Sequence, residues 1–465
     1  MTAPPTNNLS EILLLSTYEL GHQPLSLASP LAYLHQAGFN AQVYDLSRQD
    51  FPAQAVAQAS FVGIAVPMHT ALRLGVQAAA QVRKHNPDAH ICFYGLYAWL
   101  NAEYLLSGYA DSVIAGEYEQ PLLDLIALLQ HDAHSASLPG VYTLDNPAQP
   151  HLARLPFPIP QRSQLPTLES YAHYTDANRH TLAGYTEASR GCLHTCSHCP
   201  VVPVYHGRFF IVPLETVLAD IRQQVAAGAG HISFGDPDFL NGPGHALKVA
   251  QAVHAEFPAL TFDITVKVEH ILQHRDIFPQ LRQLGCTFVI SAFEAASDHI
   301  LERLGKGHTA EDMQSALQIL AQAGTAVQPT WMPFTPWTSL QDYLDLLTWI
   351  REQDIIPHVP AVQLSVRMLV PPHSALLDHA DTSSWLGDLD SANFSYTWAH
   401  PDPRMDALQR QVAQIAEANA GGDPYQSFAA IEALAFGLAG MQVPIAAAPA
   451  EALPSPPRLT EDWFC

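Results

Sequence analysis

Residues 190–202 read RGCLHTCSHCPVV, and three of the chain's six cysteines, Cys192, Cys196 and Cys199, fall within them. Thiolates separated by three and then two residues can fold a loop around one corner of an iron–sulfur cube and leave the fourth iron without a protein ligand. Zinc is the competing reading, because His194 or His198 can complete a tetrahedral site with three thiolates. Structural zinc sites usually pair two separated CxxC knuckles, however, and this chain has no second one. Cys92 (HICFYG) and Cys286 (LGCTFVI) sit inside apolar runs and read as core.

Outward from the cysteines, the pattern is a β/α series. The strand candidates are YTEAS, HISFG, TFDITV, TFVISAF, AVQPTWM and AVQLSV, and helical stretches such as PLETVLADIRQQVAAG and AEDMQSALQILAQAG separate them. Six such units over residues 181–375 predict a partial parallel (β/α)6 barrel with its chemistry at the carboxyl ends of the strands. The cysteine loop begins right after the first of these strands. Upstream, residues 1–144 alternate short apolar runs (EILLLS, AQVYDL, SFVGIAV, AHICFYG, DSVIAG) with amphipathic stretches, which predicts a Rossmann-like, doubly wound α/β domain of five strands. Residues 145–180 are proline-rich and read as a linker, and residues 376–442 as a small helical region with helices at 406–419 and 425–438. Residues 443–465 form an Ala/Pro tail that ends in Trp463, Phe464 and Cys465.

A length of 465 residues exceeds one ordinary core and favours two or more domains. The N-terminus has neither a basic nor an apolar leader region, and no run of eighteen apolar residues occurs, so a cytoplasmic protein without a membrane span is expected. In such a reducing compartment clustered cysteines point to metal binding or catalysis rather than to disulfides. The net charge of −23, from 21 basic against 44 acidic residues, repels a phosphate backbone, so nucleic acid is not an expected partner.

The Cys192-x3-Cys196-x2-Cys199 spacing, preceded by ASRG, resembles the signature of radical S-adenosylmethionine (radical SAM) enzymes. The resemblance implies a [4Fe-4S] cluster on the three thiolates, SAM on the open iron, and an external flavodoxin- or ferredoxin-type electron donor. HISFGDPDF, with Gly235, Asp236 and Asp238, is similar to the motif that meets the SAM amino group. Lys267 in ITVKVEHI corresponds to the residue for the SAM carboxylate. SAFEAASDHILERLGKGHT is close to a G-x-E-S … K-G-x-T pattern and supplies Glu294 and Lys306, with Ala292 and Ala295 where the family more often has glycine and serine. Each has a plain reading beside it: Asp236 and Asp238 as helix caps, Lys267 and Lys306 as solvated charges.

The Rossmann-like domain ahead of the barrel resembles the cobalamin-binding group of this superfamily, with Gly116 and Glu117 as its Gly-Glu turn. The D-x-H-x-x-G loop that supplies a cobalt-ligating histidine in some members is absent, and the nearest match, Asp88-Ala89-His90, reads as surface. Tyr94, Tyr97 and Trp99 stand where relatives carry a glycine-rich turn, either stacking on a corrin or filling its space. The ending at Cys465 resembles a subgroup whose tail continues as Cys-Cys-Ala-Glu-Pro or Cys-selenocysteine-Ala-Glu-Pro, which implies reading through a selenocysteine codon and a catalytic thiolate at Cys465. A soft thiolate suits trivalent arsenic. The leading expectation is therefore a transferase of the organoarsenical, arsinothricin-biosynthesis type that moves the 3-amino-3-carboxypropyl group of SAM onto arsenite. A cobalamin-dependent radical SAM methyltransferase is the alternative, and a non-catalytic zinc or corrinoid module the alternative of another class.

Overall fold

The computed structural model describes residues 11–130, 137–443 and 456–461. The first sheet comprises β1 (Ile12–Ser16), β2 (Ala41–Asp45), β3 (Phe61–Ala65), β4 (His90–Tyr94), β5 (Ser112–Ile114) and β6 (Val141–Tyr142), in the order β2-β1-β3-β4-β5-β6. All pairs are parallel except β5 with β6. The run ILLLS is buried at every position because the sheet is covered on both faces, as a parallel sheet must be. Its period of two then divides the core: Leu13 and Leu15 join one apolar cluster, and Ile12 and Leu14 the other.

The second half begins with β7 (His173–Thr175), β8 (His180–Thr186), β9 (Ser189–Gly191) and β10 (Phe209–Ile211), and continues with β11 (Ala229–Phe234), β12 (Thr261–Thr265), β13 (Cys286–Glu294) and β14 (Ala326–Trp331). A hairpin of β15 (Leu386–Asp390) and β16 (Ser395–Trp398) follows, and β17 (Arg458–Leu459) comes last. The barrel-like sheet runs β14-β13-β12-β11-β8-β7-β17, with β8 and β11 to β14 mutually parallel. Helices Leu214–Ala226, Pro243–Glu256 and Ala310–Ala323 connect successive strands, and Leu340–Glu352 follows β14. Two of them open on capping boxes, Thr309 with Asp312 and Ser339 with Asp342, which satisfy amide donors that the first turn leaves unpaired.

One expected strand is absent. AVQLSV forms a 3-10 helix, Ala361–Ser365, behind Pro357 and Pro360, and the Gln363 side chain supplies the acceptor for the Trp331 amide at 2.9 Å. A strand neighbour would otherwise supply that oxygen. The chain then touches the sheet edge at a single parallel bridge, Phe334 with Arg367. Helices Pro403–Ala418 and Pro424–Leu438 lie where helical segments are expected.

The two halves pack directly on one another. Val204, Tyr205 and Phe394 belong to the same apolar cluster as Leu13 and Val62 of the first sheet. Residues 145–180, expected to be a linker, instead anchor both halves: buried Arg162 pairs with Asp220 at 2.6 Å, and donates to Gln23 Oε1 and to the Tyr185 carbonyl. No described helix is long and apolar enough to cross a membrane.

Candidate functional site

The cysteine loop is held between the antiparallel strands β9 and β10 at the carboxyl end of β8. Gly191 opens it at φ +76°, where an added Cβ would lie 2.5 Å from the Arg208 carbonyl, so only glycine fits the approach. The loop backbone is pinned from several sides. The Leu193 amide donates to Asn241 Oδ1 at 3.0 Å, the Ser197 amide to the Leu304 carbonyl at 2.9 Å, and the Cys199 amide to the Cys196 carbonyl at 3.1 Å. All three cysteines are free thiols, and Cys196 is buried. Burial pushes the Cys192 thiol up to about 12 and the Cys199 thiol up to about 11. A thiolate in such a place needs a cationic partner, which is what a metal centre supplies.

Glu294 and Lys306 meet beside this loop. Lys306 Nζ donates to Glu294 Oε1 at 3.2 Å, and His198, between two of the cysteines, reaches the same oxygen at 3.2 Å. Burial raises the Glu294 carboxyl, but Lys306 and His198 outweigh it and hold the group down to about 2. Glu294 ends β13 at φ +67°, a left-handed conformation that costs a non-glycine residue about 1–3 kcal/mol and so marks a position fixed by its surroundings. Lys306 lies between Gly305 and Gly307, both at positive φ, and this tight turn aims its side chain inward.

Lys267 N-terminally flanks helix Val268–Gln273, with Nζ 3.0 Å from Glu269 Oε2 and 3.3 Å from His194 Nδ1. Asp238 is a cap, as its plain reading had it: its Oδ1 accepts from the Leu240 amide at 2.8 Å and its Oδ2 from the Lys267 amide at 3.2 Å. The same Oδ2 lies 2.9 Å from His270 Nδ1 and 3.5 Å from His194 Nε2. Burial acts to raise this carboxyl, yet His194 and His270 beside it leave it below the ordinary value.

Asp236 has both oxygens engaged on the strand leading to the cysteines. Oδ2 accepts from the Ala188 amide at 2.9 Å and Oδ1 from Ser189 Oγ at 2.6 Å, and burial pushes the carboxyl up to about 7. Gly235 is a close-approach glycine, since a Cβ there would lie 2.0 Å from the Tyr185 hydroxyl oxygen.

Gly116 and Glu117 stand apart from this group. The His151 carbonyl would lie 2.2 Å from a Cβ on Gly116, and it accepts the Glu117 amide at 2.7 Å. The Glu117 side chain is buried, 3.0 Å from the Tyr205 hydroxyl and 3.5 Å from Arg190 Nη1. Arg190 also pairs with Glu119 at 2.6 Å and with Glu187, so the ASRG arginine gathers three acids where the two halves meet.

Tyr94, Tyr97 and Trp99 are engaged with protein. The Tyr94 hydroxyl donates to the Ser26 carbonyl, Tyr97 lies edge-on to His69, and the Trp99 indole donates to the Ala148 carbonyl while stacking on His373 at 4.5 Å. Of the two roles open to these rings, filling space is the one their contacts match. His90, expected at the surface, is half-buried on β4 with Nε2 2.8 Å from Ser112 Oγ. Cys92 and Cys286 are fully buried core. Cys465, Trp463 and Phe464 lie outside the described residues.

His194, His198 and His270 converge here from residues scattered among 24 histidines, and only the position of the first two within the cysteine loop signalled them.

Residues 186–352 match the family model of the radical SAM superfamily, so the chain carries a radical SAM domain. This is a family of enzymes that use a [4Fe-4S] cluster and SAM. Among curated proteins, the tRNA-2-methylthio-N(6)-dimethylallyladenosine synthase of Chlorobium limicola is 24% identical over 161 residues, 33% of this chain and 36% of that protein. The ribosomal protein uS12 methylthiotransferase RimO of Geotalea uraniireducens is 25% identical over 198 residues, 40% of this chain and 42% of that protein. The chain thus spans less than half the length of these relatives. Two solved structures share the fold. The cobalamin-dependent SAM radical enzyme OxsB, with aqua-cobalamin and SAM bound, has a TM-score of 0.72 at 14% identity and covers 93% of this chain and 72% of its own. The radical SAM methyltransferase TsrM from Kitasatospora setae, with tryptophan and a SAM analogue, has a TM-score of 0.61 at 16% identity and covers 74% and 71%.

Proposed function

We propose that this chain is a radical SAM transferase that cleaves SAM reductively and passes a SAM-derived group to a small-molecule acceptor. The observation that carries this reading is the placement of Cys192, Cys196 and Cys199 on one pinned loop at the carboxyl end of β8, beside the buried pair Lys306–Glu294. Three soft donors with no fourth beside them among the described residues fit a [4Fe-4S] cluster better than a closed zinc site. Bound there, the cluster supplies the electron that breaks a carbon–sulfur bond of the sulfonium.

The chain's own residues supply the rest. Lys267 is the cation nearest the loop on the β12 side and suits the SAM carboxylate; its present partners, Glu269 and His194, can release it because Glu269 is half-exposed. Glu294 is ionised and fixed, so its oxygens accept hydrogen bonds from a ribose or amino group, and Lys306 keeps it so. Asp236 is a positioning residue in this reading, setting the turn from which the cysteine loop departs. The net charge of −23 favours a small acceptor over tRNA.

Two transfer routes follow. In the direct one, arsenite or another soft acceptor receives the aminocarboxypropyl group, with Cys465 as its anchor. Methyl transfer with cobalamin is the second, supported by the likeness of fold to OxsB and TsrM, although the rings of Tyr94, Tyr97 and Trp99 are taken up by protein contacts and do not fit a role stacked on a corrin. Anaerobic incubation of reconstituted enzyme with SAM, reductant and arsenite, with and without added cobalamin, followed by mass spectrometry, tests the reading. 5′-Methylthioadenosine supports the direct route, and S-adenosylhomocysteine or 5′-deoxyadenosine supports the second. Unchanged SAM in every condition contradicts both.

A further inference from the structure

We infer that His194, Asp238 and His270 form a second metal site, distinct from the three cysteines and taking a divalent first-row transition ion of the zinc class. One ligand atom from each of the three lies within 4.8 Å of the others. Asp238 and His270 are 1% and 5% exposed, and His194 is half-buried at the rim. His270 Nδ1 and His194 Nε2 are both buried without an aligned hydrogen bond, although each faces Asp238 Oδ2, at 2.9 Å and 3.5 Å. Two such nitrogens around one carboxylate are costly as an apo cluster, because each forfeits its water without a full partner. A cation among them satisfies all three at once.

The neighbours agree with this assignment. A ligating histidine usually directs its other ring nitrogen to a carboxylate that fixes the tautomer. Glu269 Oε2 stands 3.8 Å from His194 Nδ1 and is held by Lys267 Nζ. With Nδ1–H turned to Glu269, the Nε2 lone pair is free for an ion; with Lys267 donating to Nδ1 instead, Nε2 carries the proton and points it at Asp238. Binding selects the first arrangement. Asp238 is oriented by the Leu240 and Lys267 amides, so its ligating oxygen is fixed before any ion arrives. An N,N,O set with no thiolate suits zinc or ferrous iron rather than a soft monovalent ion, and three protein ligands leave a position open to an oxygen or nitrogen of a small molecule. Cys192 and His194 would thus sort two metals on one loop by softness.

The test uses the reconstituted holoenzyme, in which the cluster occupies the thiolates, supplied with one equivalent of zinc and then desalted. The site predicts one zinc per chain retained beside the cluster iron. It also predicts a zinc K-edge scattering shell of nitrogen and oxygen at about 2.0–2.1 Å with no sulfur at about 2.3 Å. His270→Ala and, on the partly exposed loop, His194→Ala should each lose the zinc while keeping the iron. Glu269→Gln should weaken zinc about 10- to 100-fold. No retained zinc, a sulfur shell, or zinc retained by both histidine variants would overturn the assignment. Iron content and SAM cleavage are read separately, so failure here is distinguishable from failure of the radical SAM reading.

Discussion

Lys306 Nζ lies 3.2 Å from Glu294 Oε1, and both side chains are almost wholly withdrawn from solvent. A buried pair of this kind contributes little net stability, but removing Lys306 takes the full positive charge from beside the buried Glu294 carboxylate and leaves it His198, 3.2 Å away. Lys306→Met should therefore destabilise the fold by about 3–5 kcal/mol, and adding Glu294→Gln should restore most of that loss. Urea midpoints of the single and double variants check it; equal losses in both would place the cost elsewhere than in the pair.

The same pair sets an acid limb. The folded Glu294 carboxyl is depressed from an ordinary 4.5 to about 2, so the stability it contributes is complete above pH 4.5 and is lost as the pH falls toward 2. Thermal unfolding of wild type and Glu294→Gln should diverge above pH 5 and converge toward pH 2. A constant gap across that range would remove ionisation from the account.

Two glycines give opposite outcomes. At Gly235 an added Cβ meets the Tyr185 ring, so Gly235→Ala should cost about 1–3 kcal/mol by overpacking. At Gly244, in helix Pro243–Glu256, a Cβ meets nothing within 4 Å, so Gly244→Ala should gain about 0.4–1 kcal/mol by restricting the unfolded chain. Melting temperatures of the two variants decide the signs.

Arg190 ties the two halves together through three acids. Removing it in Arg190→Met leaves Glu117, Glu119 and Glu187 facing one another in a buried space. Burial already pushes the Glu117 carboxyl up to about 7, so this site destabilises the fold as the pH rises past 4.5 and through 7. The variant should thus be hurt more at pH 8 than at pH 5, and denaturant curves at the two values show it.

Much of this arrangement was legible in the chain. Period-two alternation in ILLLS and the β/α rhythm around Tyr185 locate both sheets, because strand faces and helix stripes are set locally. The cysteine triplet marks a metal-ligating loop by its spacing and, with ASRG before it, carries the resemblance to radical SAM enzymes. AVQLSV misleads because it alternates like a strand, yet flanking prolines and the Gln363 amide take over its hydrogen bonding. The pairing of Arg190 with Glu117, Glu119 and Glu187, and of Asp238 with His270, depends on long-range packing that no local pattern encodes. The proline-rich stretch hides Arg162 for the same reason.

In the proposed reading Cys192, Cys196 and Cys199 hold a cluster whose open iron takes SAM. Electron paramagnetic resonance of the anaerobically reconstituted, dithionite-reduced protein tests it most directly. The expected result is a reduced [4Fe-4S] signal whose g values shift when SAM is added and which is missing in Cys196→Ala. A signal indifferent to SAM, or one that survives the loss of Cys196, would contradict it.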